Sequence, residues 1–423
     1  MESTLIKGNR TKLNRFLKDN RPGRFFFLIP ALALLPFMSL LQSLKKRTNN
    51  NNRILLFQFG GIGDLLMLTP IIRILKRRFP QSKIDLCLTH DYVKDAFEGH
   101  PFFNEVIPFD FYWKGYKAFF NLKSSKEGVW RVLFYHPRLF LKLALRRYDL
   151  SIDYSPSPEM KDLSGALAYI ISIPRRIGYG GDALGFLTDK IDIQPREMHR
   201  VDYYFSILQL IGINPNELDT RKYVYSLTSD DKAWGDFFLR KHARASSFIF
   251  AMHPGGVNLI VPRRWPLEHF ITVGQWVIKN MRGTILLTGG EEDVEVCNAV
   301  ASELKSGCIN ICNQTTIKQT AAILSFCNAC LTNDTGILHL AAAVGVPSIY
   351  ALFGPTNADL LMPPEANVIA LKSDLECSPC AGSIISKDTR ECSNTPKGEC
   401  LFDIKPEQVI KHLSQLLNHE KKS

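Results

Sequence analysis

The stretch FQFGGIGDLLMLTP, residues 57–70, places one carboxylate within a glycine-rich turn. Gly60, Gly61 and Gly63 mark the point where a strand passes into a helix, and such helix starts usually receive a phosphate on their free backbone N–H groups. Asp64 stands where that anion would lie and would repel it. The aspartate is therefore either a plain cap of the helix start or a group with a task of its own.

Three glycine-containing turns in the second half of the chain suit an anionic ligand better. They are HPGG (253–256), TGGEED (288–293) and NDTGILHLAAA (333–343), and each follows a predicted strand. The last begins a helix whose free N–H groups suit a diphosphate and whose alanines allow close approach to the sheet. Three such turns in one sheet favour a nucleotide-type ligand, although Asp334 and Thr335 also fit simple N-capping.

A basic turn, VPRRWP (261–266), precedes the next predicted helix. The guanidinium groups of Arg263 and Arg264 could neutralise a departing diphosphate if they face a cleft. The alternative is a solvated basic turn. His339, one turn into the helix after Asp334, is on physical grounds more often a packed, hydrogen-bonded histidine than a catalyst.

Strands alternating with helices position these turns. The segments RILLFQF (53–59), DLLMLTPIIRILKRRFP (64–80) and KIDLCLT (83–89) predict a βαβ unit. Further strands are predicted at 105–110, 148–154 and 175–180, a closing helix at 199–213, and a linker-like stretch at 214–245. A second α/β pattern begins at residue 247. The sequence thus predicts two parallel, doubly wound sheets with ligands in the cleft between them.

A nicotinamide dehydrogenase is excluded by the first glycine turn. Counting the fingerprint G-x-G-x-x-G from Gly61 and Gly63 places Leu66 at the third glycine position. The acidic residue expected at the end of the second strand is also missing, since Asp85 lies near the start of that strand.

The net charge of +11 is concentrated in the first 50 residues, which hold ten lysines and arginines against two acids. The body is therefore nearly neutral, which argues against nucleic acid as a partner and for a leader at a membrane surface. Within the leader, residues 25–41 carry no charge but contain Pro30 and Pro36. An interfacial or re-entrant anchor, a transmembrane anchor and a cleaved signal peptide are the three interpretations. The aromatic and basic insertion at 111–147 has two interpretations: amphipathic helices packed on their own domain, or a surface that meets lipid or a lipid-linked substrate.

The ordered motifs GGIGDLLMLTP, HPGG, RRWPLEHF, TGGEED and DTGILHLAAAVGVPSIYALFGPT resemble glycosyltransferase family 9, the ADP-heptose:lipopolysaccharide heptosyltransferases, from about residue 53 to 412. The resemblance implies an α/β fold of GT-B architecture, with two facing Rossmann-like domains that bind the acceptor and the ADP-sugar respectively. It further implies an inverting transfer that needs no cofactor or metal. The family's usual lysine before the RWP motif is Arg263 in this sequence.

Carried over position by position, the resemblance implies Asp64 as general base and Arg263 as the second catalytic residue, with Gly61 and Gly63 on the acceptor side. The implied donor-binding residues are Asp334, Thr335, Gly336 and His339, together with Asp293 or, if the loop shifts by one, its neighbour Glu292. The glycine turns and the basic turn add His253, Gly255, Arg264, Gly289 and Gly290.

Four cysteines cluster late in the chain with the spacing C-x2-C-x11-C-x7-C: Cys377, Cys380, Cys392 and Cys400. This spacing can wrap a tetrahedral metal. Because an ADP-sugar implies a reducing cytosol, ordinary reduced cysteines are the alternative.

We therefore predict a leader at 1–50, an acceptor domain at 51–230, a nucleotide-sugar domain at 245–375, a cysteine loop at 376–403 and a helical tail at 404–423. The expected function is heptose transfer from ADP-heptose to a lipid-linked core saccharide of lipopolysaccharide, at the cytoplasmic face of the inner membrane. The alternatives are another nucleotide sugar in O-antigen or capsule assembly, and a non-catalytic nucleotide-sugar-binding relative.

Overall fold

A computed structural model describes residues 53–88, 91–109, 137–155, 158–180, 185–193, 198–243, 248–256, 263–381, 392, 394 and 396–420. The predicted leader at 1–50 and most of the predicted insertion at 111–147 lie outside these residues. No helix in the described ranges is long and apolar enough to cross a membrane.

The first domain contains a six-stranded parallel sheet in the order β3-β2-β1-β4-β5-β6. Its strands are β1 (Arg53–Gln58), β2 (Lys83–Leu88), β3 (Glu105–Pro108), β4 (Leu150–Asp153), β5 (Arg175–Tyr179) and β6 (Asp189–Ile191). Its helices are α1 (Ile62–Arg78), α2 (Asp91–Phe97), α3 (Pro137–Leu145), α4 (Pro158–Ile170) and α5 (Arg200–Ser206), and a 3₁₀ turn (Ile207–Ile211) extends the last of these.

Helix α1 follows the predicted periodicity. Leu65, Leu68, Ile71 and Leu75 on its apolar face are almost fully buried, because residues three and four apart share one side of a helix. The opposite face carries basic residues near the helix end, where cations interact favourably with the helix dipole. The apolar face thus fixes α1 on the sheet, with its N-terminus at the carboxyl end of β1.

The second domain repeats this plan with the strand order β12-β11-β10-β7-β8-β9. Its strands are β7 (Ile249–His253), β8 (Thr284–Leu287), β9 (Cys308–Asn310), β10 (Ala329–Asn333), β11 (Ser348–Phe353) and β12 (Val368–Lys372). The helices that follow the first domain are α6 (Ser229–His242), α7 (Leu267–Met281), α8 (Val294–Leu304), α9 (Ile317–Leu324), α10 (Gly336–Val344), α11 (Ala358–Leu361), α12 (Glu399–Asp403) and α13 (Pro406–Glu420).

The prediction of a linker-like stretch at 214–245 is wrong in its second half, where helix α6 runs from Ser229 to His242. Thr228 caps it, because its hydroxyl accepts a hydrogen bond from the backbone N–H of Asp231, whose carboxylate accepts one from the Thr228 N–H in return. Only Gly235 and Leu239 of this helix are buried. A Cβ on Gly235 would lie 2.8 Å from the backbone of Ala322, so the glycine lets α6 pack closely on α9.

Within the predicted insertion, the structure describes helix α3. Leu143 and Ala144 of this helix are buried, whereas Leu141 and Leu145 are 51% and 60% exposed. One side of α3 therefore packs on its own domain, as one of the two interpretations expects, while the other side presents leucines to solvent.

Candidate active site

Asp64 occupies the first turn of α1, and both of its carboxylate oxygens accept hydrogen bonds. The backbone N–H of Gly61 donates to Oδ2 at 3.2 Å, and the hydroxyl of Tyr204 donates to Oδ1 at 3.0 Å. A Cβ on Gly60 would lie 2.5 Å from Oδ2, so only glycine fits there. Gly61, not Asp64, is the N-cap residue, and Asp64, at the third position of the helix, accepts a hydrogen bond from the N-cap N–H. The contact with Tyr204 shows that the carboxylate is also held from outside its own helix.

Tyr204 is a site residue that the sequence analysis missed. It lies on α5 and is almost fully buried, and its hydroxyl also accepts a hydrogen bond from the Gln58 side-chain amide at 3.3 Å. Burial raises the pKa of Tyr204 well above its ordinary value, with a further contribution from the nearby Asp64. The hydroxyl is therefore a neutral donor that fixes the orientation of the carboxylate. No local motif marks this residue, because the contact joins positions 140 residues apart.

Replacing Tyr204 with Phe is expected to lower the turnover of the site about tenfold, because Asp64 loses one of its two orienting hydrogen bonds. The affinity for a nucleotide should be unchanged, because Tyr204 belongs to the first domain and the predicted nucleotide-binding turns belong to the second. Steady-state kinetics combined with calorimetric titration separate the two effects. A variant that binds nucleotide tenfold more weakly, with an unchanged turnover, would contradict the orienting role.

Asp334, at the carboxyl end of β10, is held by a guanidinium group and a hydroxyl. The Nη2 atom of Arg263 lies 2.7 Å from Oδ2 and also donates to the backbone carbonyl of Asp334. The hydroxyl of Thr356 donates to the same Oδ2 at 2.7 Å. Thr335, not Asp334, occupies the N-cap of α10, and its side chain makes no capping bond. The predicted alternative of plain capping by these two side chains is therefore not what the structure shows.

Asp293 links the two neighbouring glycine turns at 253–256 and 288–293 by hydrogen bonds. Its carboxylate accepts hydrogen bonds from the backbone N–H of Gly256 and of Gly290, both at 3.0 Å, and Arg264 lies 3.2 Å from its Oδ1. Cβ atoms on Gly255 or Gly289 would collide with the Asp293 side chain, at 2.1 and 2.8 Å. The glycines of these turns thus admit a carboxylate that ties the turns together.

His253, the last residue of β7, is buried, and its Nδ1 lies 2.8 Å from the Thr288 carbonyl oxygen. Burial lowers the pKa of this imidazole, an effect that Asp293 partly opposes. In this arrangement His253 supports the turns held by Asp293.

The starts of helices α1 and α10 meet where the two domains touch. A Cβ on Gly63 would lie 2.8 Å from the His339 ring, and a Cβ on Gly336 would lie 2.4 Å from Ile62. The two glycines therefore allow both helix starts to approach closely, and they bring the turn of Asp64 next to that of Asp334. Gly61 meets no atom within 4 Å of its hypothetical Cβ and borders open space.

His339 lies at this meeting point and is uncharged at neutral pH. Burial lowers its pKa to about 4, although the carboxylates of Asp334 and Asp64 act in the opposite direction. Its neutral ring can therefore lie between two carboxylate-bearing turns as a hydrogen-bonding group, not as a cation.

This shift predicts that the free energy of unfolding falls as the pH is lowered from about 6.5 towards 4. Between these pH values His339 is protonated in the unfolded chain but stays neutral in the folded chain. Lowering the pH therefore favours the unfolded state. The shift corresponds to a loss of about 2–3 kcal/mol at pH 4. Urea unfolding of the wild type and His339→Gln at pH 7 and pH 4.5 measures it: the variant should lose less stability between the two pH values. Equal losses would show that another group carries the effect.

The model of glycosyltransferase family 9 (heptosyltransferase) matches residues 137–388, more than half of the chain. The chain belongs to glycosyltransferase family 9. It is a glycosyltransferase, and the predicted family is confirmed. The chain is 26% identical over 382 residues to lipopolysaccharide heptosyltransferase 2 of Salmonella typhimurium, a match that covers 87% of this chain and 99% of that one.

Solved structures agree with the two-domain fold. The glycosyltransferase superposes on E. coli ADP-heptose lps heptosyltransferase II with a TM-score of 0.65 and 22% identity, over 87% of this chain and 99% of that one. E. coli heptosyltransferase WaaC with ADP-2-deoxy-2-fluoro heptose gives a TM-score of 0.58 and 18% identity, over 86% and 99%. The predicted GT-B architecture is thereby confirmed.

The four late cysteines of the glycosyltransferase surround one small space. Their thiols are free and line a cavity of about 20 Å³ beside Pro355. The backbone N–H of Gly398 donates to Cys392 Sγ at 3.2 Å. Among the described residues, however, no three His, Cys, Asp or Glu side chains are grouped to hold a metal ion. A structural metal here stays a prediction: zinc or iron at one equivalent per purified chain would support it, and neither metal present would remove it.

Proposed function

We propose that this glycosyltransferase moves heptose from ADP-heptose to a lipid-linked core saccharide of lipopolysaccharide. The observation that carries the proposal is the meeting of two turns across the domain contact. Asp64 belongs to one domain and the Asp334–Arg263 pair to the other, and Gly63 packs directly on His339. The relatives that cover most of this chain are named lipopolysaccharide and lipooligosaccharide heptosyltransferases, which supports the transferred sugar and the acceptor class. The superposed E. coli ADP-heptose lps heptosyltransferase II supports ADP-heptose as the donor.

The transfer we propose is a single inverting displacement without a catalytic metal. The Asp64 carboxylate takes the proton of the acceptor hydroxyl as the oxygen bonds to the anomeric carbon. The bond from that carbon to the diphosphate oxygen breaks, and ADP leaves with the electron pair. Asp64 is suited to this role because Tyr204 and Gly61 fix its orientation, so that position contributes more than basicity.

On the donor side, Arg263 and the N-terminus of α10 are proposed to hold the diphosphate. A guanidinium group and free N–H groups stabilise the negative charge that grows on a leaving phosphate. Thr335 and Gly336 supply the helix start. Arg264 and Asp293 are proposed to act through the shape of the adjoining turns, which their mutual contact maintains.

We further propose that the protein works at the cytoplasmic face of the inner membrane and meets its lipid-linked acceptor there. The basic, partly apolar sequence before residue 51 supports this location, and so do the exposed leucines of α3. Sedimentation of the full chain with phosphatidylglycerol vesicles, against uncharged vesicles as control, tests it. If the same amount of protein stays in the supernatant with phosphatidylglycerol vesicles as with uncharged vesicles, the basic leader has no role in membrane binding.

The proposed function is tested by incubating the full chain with ADP-heptose and a core acceptor, with and without EDTA. We expect ADP and a heptosylated product in equal amounts, at the same rate in both conditions. UDP- and GDP-sugars in matched reactions test the alternative donors of O-antigen or capsule assembly. If ADP-heptose raises the melting temperature but no product forms with any acceptor, the non-catalytic alternative is favoured.

A further inference from the structure

The segment that connects the two domains, around residues 220–224, places Tyr223 at the candidate active site. Arg73 of α1 donates to the Thr220 carbonyl at 3.0 Å, and the Val224 N–H donates to the Thr69 hydroxyl at 2.9 Å. These two bonds fix the segment along α1. Tyr223, which lies between the two anchored positions, therefore has a defined place against the domain contact.

The Tyr223 side chain lies near Asp64 and against His339. It is 4% exposed, and its ring centroid lies 5.8 Å from that of His339. Burial raises the pKa of its phenol well above the ordinary value, and Asp64 is the charged group that adds to the shift. Tyr223 thus lies within electrostatic reach of Asp64 in one domain and in ring contact with His339 in the other.

Two polar atoms at this place lack hydrogen-bond partners among the described residues. They are the Tyr223 hydroxyl oxygen and the Nδ1 atom of His339. Buried polar atoms are nearly always paired, and leaving one unpaired destabilises the structure. Two such atoms at one domain contact indicate that a bound group supplies the missing partners.

The chemistry of the two atoms defines that group. A phenol that keeps its proton donates one hydrogen bond and accepts another, and a neutral imidazole also offers one donor and one acceptor nitrogen. Neither brings a charge to neutralise a phosphate. A sugar hydroxyl, which both donates and accepts, matches the pair.

We propose that Tyr223 contacts the saccharide and binds one of its hydroxyl groups between the two domains, with His339 on the other side. This inference rests on the proposed function, because it assumes that a saccharide enters this contact. The segment that connects the domains then has a binding role, and its hydrogen bonds to α1 hold Tyr223 in place.

Replacing Tyr223 with Phe tests the proposal by removing a single oxygen atom. We expect kcat/KM for heptose transfer to fall about tenfold, the effect of one lost hydrogen bond. The affinity for ADP should stay unchanged. The melting temperature of the ligand-free chain should be equal or higher, because an unpaired buried group is gone. A purely structural role predicts a lower melting temperature with unchanged kinetics.

Tyr225→Phe is the matched control. The Tyr225 hydroxyl is also buried without a partner in the described part of the chain, but its ring packs on Phe97 and not on His339. Its loss should leave kcat/KM unchanged.

A second measurement keeps the proposal testable if Tyr223→Phe folds poorly. Donor and acceptor analogues that each lack one hydroxyl are compared on the wild type, and one of them should lose about tenfold in kcat/KM. If the wild type transfers heptose but Tyr223→Phe and every analogue match it, this inference is wrong and the proposed function stands. If the wild type transfers none, both are wrong.

Discussion

Asp64→Asn is expected to lower the kcat of heptose transfer by about 10²–10⁴-fold, the usual contribution of a positioned general base. The amide cannot take up the proton of the acceptor hydroxyl. Its oxygen can still accept the hydrogen bond of the Gly61 N–H or of Tyr204, which the carboxylate accepts in the wild type. The fold should therefore survive, and the loss should fall on the chemical step.

Rapid mixing with saturating ADP-heptose and acceptor measures this loss, and calorimetry on the same variant should give a wild-type affinity for ADP. Asp95→Asn, which alters an exposed carboxylate of the same domain, is the control and should be fully active. An Asp64→Asn variant that transfers sugar as fast as the wild type would leave Asp64 only its capping role.

Arg263→Ala is expected to lower kcat by about 10²–10³-fold, as the loss of a charge-stabilising donor does in other enzymes. Two effects combine in this variant. The leaving diphosphate loses a cationic partner, and the Asp334 carboxylate, whose side chain is 6% exposed, loses its ion pair. Thr356 would remain as the partner of that oxygen.

Arg263→Lys separates charge from geometry, because lysine restores the cation but not the planar donor group. We expect it to recover a large part of the lost activity, because the resemblance of the RWP motif implies a lysine at this position. Arg240→Ala, which removes an arginine on the exposed face of α6, is the control and should leave kcat unchanged. Wild-type kcat in Arg263→Ala would show that the α10 N-terminus stabilises the diphosphate without a guanidinium.

The parts of the fold that could be predicted from sequence are those with long apolar periodicity. Helix α1 and strands β1 and β2 lie within two residues of the predicted bounds. The short strands β6 and β9 were missed, because each has three residues and none of them is fully buried. Helix α6 was missed because its buried face consists of two residues, which gives a weak periodic signal.

Some residues of the candidate site could be predicted from the sequence, whereas others became apparent only in the structure. Asp64, Asp334 and Arg263 lie in local motifs, and the structure brings their turns together. Thr356 ends the motif that begins at Asp334, but nothing in that motif singles it out as the partner of Asp334. Tyr204 lies in none of the motifs, and its partner is 140 residues away along the chain. The Tyr204 contact arises when helix α5 packs against helix α1, and the Thr356 contact arises when β10 and β11 pair in the sheet. Reasoning from one sequence reaches the motifs but not the side chains that hold them.

The proposed transfer requires close contact between the two domains. A general base on one domain reaches a sugar held by the other only if the starts of α1 and α10 can meet, and Gly63 and Gly336 leave room for that. Larger side chains at either position would hold the two turns apart. In the same geometry the Asp64 carboxylate and the proposed diphosphate site belong to different turns, so the carboxylate need not repel the diphosphate.

The inverting transfer proposed for Asp64 is tested by a nuclear magnetic resonance measurement of the product that the full chain forms from ADP-heptose and a lipid-linked core acceptor. We expect one new glycosidic bond per ADP released, with the anomeric configuration opposite to that of the donor. Retention of configuration, or release of ADP without a new glycosidic bond, would contradict it.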